Sequence, residues 1–100
     1  MRRAGTDKTA ATFHVRVNAV EAMQRLIADV TGPSLTEDGV EVYHWSQGAD
    51  DPTQFLLYME WRDRACFDAH VATSHVQRAD ELLGQDMLAE LYVLLVYNRI

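Results

Sequence analysis

Apolar and polar residues alternate from Ala10 to Val17. Phe13, Val15 and Val17 fall on one side of an extended chain, and Thr12, His14 and Arg16 on the other, which predicts a half-buried strand. The period then changes. Val20, Met23, Leu26, Ile27 and Val30 recur at three- and four-residue steps, the spacing of one helix face, and Asn18 stands three residues before Glu21 as in a capping box, so a helix is expected over about Ala19 to Val30. Gly32-Pro33 is expected to stop it, because proline cannot continue a helix and glycine tolerates a left-handed cap.

After Gly39 the chain reads as extended, with Val40, Val42 and His44 expected on one face and Glu41, Tyr43 and Trp45 on the other. Ser46 to Thr53 is dense in turn formers (Gly48, Asp50-Asp51, Pro52) and should join this strand as a hairpin to a third, Gln54 to Trp61. Asp63 offers a cap oxygen to a second helix over about Arg64 to Ala72. Thr73-Ser74 should break it, leading to a short third helix from His75 to about Leu83, with Val76, Ala79 and Leu83 inward and Gly84 at its end. Leu88 to Tyr97, apolar and rich in β-branched and aromatic residues, reads as a fourth strand.

The order β-α-β-β-α-β, with its second helix split, is the ferredoxin-like α+β plan, a four-stranded antiparallel sheet with helices on one face. The other face, carrying Trp45 or Tyr97 according to register, would be bare in a single copy, so a homodimer packed sheet against sheet is expected.

Composition narrows the setting. One hundred residues make one domain, here residues 10–100 after a polar, flexible tail of residues 1–9 that lacks the apolar core of a signal peptide. A net charge of -6 and a pI near 5.0 argue against a nucleic-acid partner, which would require a basic surface. Cys66 is the only cysteine, which excludes an internal disulfide and fits a reducing cytoplasm. The longest apolar run, Leu91 to Tyr97, is far too short to span a bilayer as a helix, so no membrane partner is expected.

The chemistry-bearing residues cluster between Trp61 and His75. His70 borders the buried stripe of the second helix, where it is either a packed structural histidine or a proton acceptor suited by its near-neutral pKa. His75 either terminates the helix break or lines the same pocket mouth. On a continuous helix a spacing of five sets the two rings about 140° apart, so no metal site is expected from them. Trp61 shares a strand face with Phe55, Leu57 and Met59 and is either core or a pocket wall. No Ser-His-Asp pattern, phosphate-binding glycine loop or dinucleotide fingerprint is present.

Gly39, Asp51-Pro52, Leu57-Tyr58-Met59-Glu60-Trp61 and Ala69-His70-Val71-Ala72-Thr73-Ser74-His75 together resemble the antibiotic biosynthesis monooxygenase domain, a dimeric α/β barrel family that includes quinol monooxygenases. The similarity runs from about Phe13 to the C-terminus. It implies a monooxygenase working without metal, flavin or haem. A phenolic, hydroquinone or anthrone-type substrate would be deprotonated in an apolar pocket and its anion would react with O2. Carried onto this chain, the resemblance makes His70 and His75 the expected catalytic residues and Trp61, Tyr43, Tyr58 and Phe67 the expected substrate contacts. Family members often place a glutamate two residues before the tryptophan; this chain has Met59 there, and Glu60 falls on the opposite strand face. The competing reading is a non-catalytic binding or assembly module, in which Met23, Leu26 and Phe67 would fill the space between helices and sheet.

Overall fold

A computed structural model describes residues 7–98 and Ile100. Four strands, β1 (Asp7–His14), β2 (Val40–Gln47), β3 (Gln54–Trp61) and β4 (Val93–Tyr97), form one antiparallel sheet in the order β2-β3-β1-β4. Helices α1 (Val20–Leu35), α2 (Arg64–Val71) and α3 (Ser74–Gly84) supply the second layer. This is the ferredoxin-like plan. Among the described residues no helix is long and apolar enough to cross a membrane.

The core lies between sheet and helices. Ala11 and Phe13 of β1 and Phe55, Leu57, Met59 and Trp61 of β3 meet Met23, Leu26 and Val30 of α1, Phe67 of α2 and Leu83 of α3, all buried. The expected α1 stripe is therefore the one that packs. Its boundaries differ. Residues 7–9 of the expected tail already belong to β1, where Thr9 is fully buried opposite Met59; residues 1–6 lie outside the described residues. Val17 leaves the strand for a short 3-10 turn (Val17–Ala19) and is exposed, and no side chain caps the start of α1, so the Asn18–Glu21 capping box does not form.

Pro33 does not stop α1, which runs one more turn to Leu35. A proline there removes one helical hydrogen bond, to the carbonyl of Asp29, whose residue is exposed to water. Thr36 closes the added turn, its N–H and its hydroxyl both donating to the Pro33 carbonyl at 3.2 and 2.7 Å.

A β-bulge between Val40 and Val42 changes the start of β2: Val40 pairs with Trp61 but Val42 pairs with Glu60, so the two valines face opposite ways. Tyr43 and Trp45, opposite Met59 and Leu57, consequently point to the helix side. Trp45 packs against Phe13 at 5.4 Å between ring centroids, so the bare face does not include it. That face carries Val42, His44, Leu56, Tyr58, Leu95 and Tyr97.

The expected fourth strand is shorter than its apolar run. Leu88 makes an isolated bridge to Val15, Ala89–Tyr92 are irregular, and β4 begins only at Val93. Every residue of β4 is exposed, since it sits at the sheet edge with no helix over it.

Candidate active site

The site is built where three connections meet at one end of the sheet. Asp63 caps α2 by accepting the Cys66 N–H at 3.0 Å, as its sequence position predicts. α2 ends at Val71, and Thr73 caps α3, its hydroxyl accepting the Val76 N–H while donating to the His70 carbonyl at 2.7 Å. The helix direction thus changes between His70 and His75, and the premise that set their rings far apart does not apply.

The loop from α1 to β2 supplies the third member. The Glu37 N–H bonds the Ser34 carbonyl, Asp38 is gripped by both terminal nitrogens of Arg62 at 3.1 and 2.8 Å, and the Arg62 N–H bonds the Gly39 carbonyl at 2.7 Å. Gly39 is left-handed (φ 85°), and a Cβ there would lie 2.4 Å from Cys66 Sγ. Only glycine lets the loop approach α2 this closely.

The result is a carboxylate between two imidazoles. His70 Nδ1–H donates to Glu37, 3.0 Å from each oxygen, and His75 Nε2–H donates to Glu37 Oε2 at 2.5 Å. His70 is 4% exposed and its ring stacks on Trp61 at 4.7 Å between centroids, tilted by 35°. Burial pushes the His70 imidazole below the usual histidine range, against the upward pull of Glu37. His70 is therefore neutral at pH 7, and with Nδ1–H committed to Glu37 the lone pair resides on Nε2.

His70 also lines a cavity of about 70 Å³ between sheet and helices, with Phe13, Tyr43, Trp45, Met59, Phe67 and Tyr92 among its walls. The lining is almost wholly apolar. Its polar groups are His70, Asp80, the Tyr43 hydroxyl, which accepts the Trp45 indole N–H at 3.1 Å, and the Tyr92 hydroxyl, which donates to Asp80 at 3.2 Å. Burial raises the Tyr43 pKa, so its hydroxyl is protonated at neutral pH.

Of the expected site residues, His70, Tyr43 and Phe67 meet at this cavity. Trp61, fully buried, lies behind His70 as a support and not among the cavity's lining residues. His75 reaches the cluster through Glu37 and lines a separate depression beside Arg78 and Leu82. Tyr58 is on the opposite sheet face, its hydroxyl donating to Glu60 at 2.6 Å, because it pairs with Ala10 and His44 on that face. Met59 does point to the cavity, so the position of the family glutamate faces the site but carries no charge. Glu37 was not foreseen: it sits in a Thr-Glu-Asp-Gly turn, and a lone turn carboxylate has no periodicity or spacing to distinguish it.

A ferredoxin-like module with an apolar cavity and one buried, carboxylate-bound histidine defines the class. The family model for antibiotic biosynthesis monooxygenase matches residues 8–82, and the chain belongs to that family. No curated protein matches it. Among solved structures, a conserved protein from Methanosarcina mazei Go1 is similar with a TM-score of 0.91 and 20% identity, over 98% of this chain and 96% of that one. A proposed antibiotic biosynthesis monooxygenase from Nitrosomonas europaea shares 26% identity with a TM-score of 0.88, over 94% of this chain and 98% of that one.

Proposed function

We propose that the protein is a cofactor-independent monooxygenase that oxidises a phenolic, hydroquinone or anthrone-type molecule with O2 in the cavity beside His70. The observation that carries this reading is the pairing of His70 with Glu37 at the wall of a largely apolar cavity. Such a pair fixes the imidazole tautomer, leaves Nε2 as the base, and stabilises the imidazolium once a proton is taken.

In this reading Nε2 of His70 removes a proton from the substrate. The anion donates an electron to O2, a carbon–oxygen bond forms, and the O–O bond breaks with loss of water; a ring C–H or a methylene becomes a carbonyl, one oxygen atom entering the product and the other leaving as water. Phe67 and Tyr43 contact the ring, Trp61 braces His70, and His75 steadies the shared carboxylate as a positioning residue. The dry walls suit an anion that must react with O2 before water reprotonates it.

The cavity as it stands is about half the volume of an engineered one that admits benzene, roughly 150 Å³. A substrate ring therefore requires Tyr92 and its irregular segment to give way. The working unit in this reading is a homodimer packed through the uncovered sheet face, in a cytoplasmic setting that suits the single buried cysteine.

The small cavity and the apolar exposure of β4 also favour a second reading, a ligand-binding or assembly module without turnover. Oxygen uptake separates the two. Purified protein, given hydroquinones and anthrones and no added cofactor, is expected to consume O2 and form quinones, with His70→Ala reducing the rate by about 100-fold or more. Binding of these compounds with no O2 uptake would establish the module instead.

A further inference from the structure

We infer that Glu37, His70 and His75 form a binding site for one divalent transition-metal ion of the Zn2+ type, held by a Glu37 carboxylate oxygen, His70 Nδ1 and His75 Nε2. The three donor atoms lie within 4.8 Å of one another, contributed by three separate chain segments. Two imidazole nitrogens and one carboxylate oxygen suit borderline divalent ions, and three protein donors leave a further position open.

The geometry requires little change. Bonds of about 2.0–2.2 Å in a tetrahedral arrangement hold neighbouring donors about 3.3 Å apart. The present contacts of 3.0 and 2.5 Å to Glu37 therefore open by under about 1 Å, and the two ring nitrogens, no more than 4.8 Å apart, close by up to about 1.5 Å. Two members are held from behind, Glu37 by the Arg62–Asp38 clamp and Gly39 and His70 by Trp61, while the Thr73 hydroxyl, 3.3 Å from His75 Nε2, lies on the ligating side and gives way to the ion.

An entry path exists. Glu37 and Thr73 line an open surface depression of about 380 Å³ shared with Asp38, Asp63 and Arg62, whose guanidinium already pairs with both aspartates. The side chains of Glu37 and His75 are 14% and 22% exposed, so the ion arrives from the surface and not through the apolar cavity.

Proton balance follows from the tautomers. When the ion takes His70 Nδ1 and His75 Nε2, each ring moves its proton to its other nitrogen, with no net release from the neutral forms. His70 Nε2 is then protonated and no longer a base. The ion-bound and proton-accepting states of His70 therefore exclude one another, because an ion on Nδ1 sends the ring proton to Nε2.

The test uses the full chain after chelator treatment and no substrate, so its outcome is independent of whether the protein is an oxygenase. Co2+ is followed by its visible absorption and Zn2+ by calorimetry and thermal unfolding. One ion per chain is expected, with Zn2+ raising the unfolding midpoint by mass action. Glu37→Gln and His75→Ala should each weaken binding by more than about 100-fold, beyond the loss typical of an outer-shell change. His14→Ala removes the exposed His14–Glu90 pair and should leave affinity unchanged. Far-UV circular dichroism confirms that each variant is folded, and if Glu37→Gln unfolds, the less buried His75→Ala carries the comparison. Absence of saturable binding to the wild type overturns the site, as does equal affinity in His75→Ala or loss of binding in His14→Ala.

Discussion

His70 combines burial with a charged neighbour, and the two effects oppose each other. Burial dominates, so the folded-state pKa lies below the ordinary value of about 6.5. The sign follows. Above about 6.5 the ring is neutral in both folded and unfolded chains and contributes no pH dependence; as pH falls from there through the lowered folded value, the unfolded chain takes up its proton first and stability is lost. Denaturant midpoints measured between pH 7 and 5 should fall with acidity, and His70→Gln should flatten that slope. The acid limb of activity should likewise lie below 6.5, since the base stays neutral to lower pH than a solvated histidine. A limb at or above that value would remove His70 from the role of base. That His70 would lie at the edge of the core could be read from its position on the helix border, but the place of Glu37 beside it could not. Its partners lie 33 and 38 residues away in sequence, and only the folded loop brings them together.

At the scale of elements, the break between α2 and α3 decides the geometry of the site. Thr73 and Ser74 were legible as a break because short hydroxyl side chains favour caps over helix interiors. The convergence of the two histidines was not, because the angle between two helices is set by packing and not by local pattern. The same limit explains the bulge at the start of β2, which alternation alone does not register. The loop carrying Glu37 is the element most exposed to a single change. Gly39→Ala combines a positive φ with a Cβ forced against Cys66, and a loss of about 1–3 kcal/mol is expected from urea unfolding. Because the loop must shift to relieve that contact, activity should fall further than stability does. A variant with wild-type activity and midpoint would show that the loop's close approach to α2 is unimportant.

Over the whole molecule, the ferredoxin-like order was readable because its strands and helices differ so clearly in period. The uncovered sheet face was readable too, although Trp45 proved to be on the other side. That face joins exposed Leu56, Val93, Leu95 and Tyr97 to a polar network in which Lys8 meets Glu60 at 3.2 Å. Apolar area of this kind favours a second copy. Sedimentation at micromolar concentration should give a dimer for the wild type, and Leu95→Asp should yield a folded monomer, since Leu95 takes no part in the buried core. A monomeric wild type would assign the face another use. The pairing of β1 with β4 has one more consequence. Lys8 stands opposite Tyr97, so the first and last strands run side by side with the start of β1 next to the end of β4. A short hairpin could join them, and a new opening cut in the Gly48–Pro52 turn would leave the sheet order intact. The architecture is thus open to circular permutation, and labels placed at Lys8 and Tyr97 would report from the same corner of the sheet.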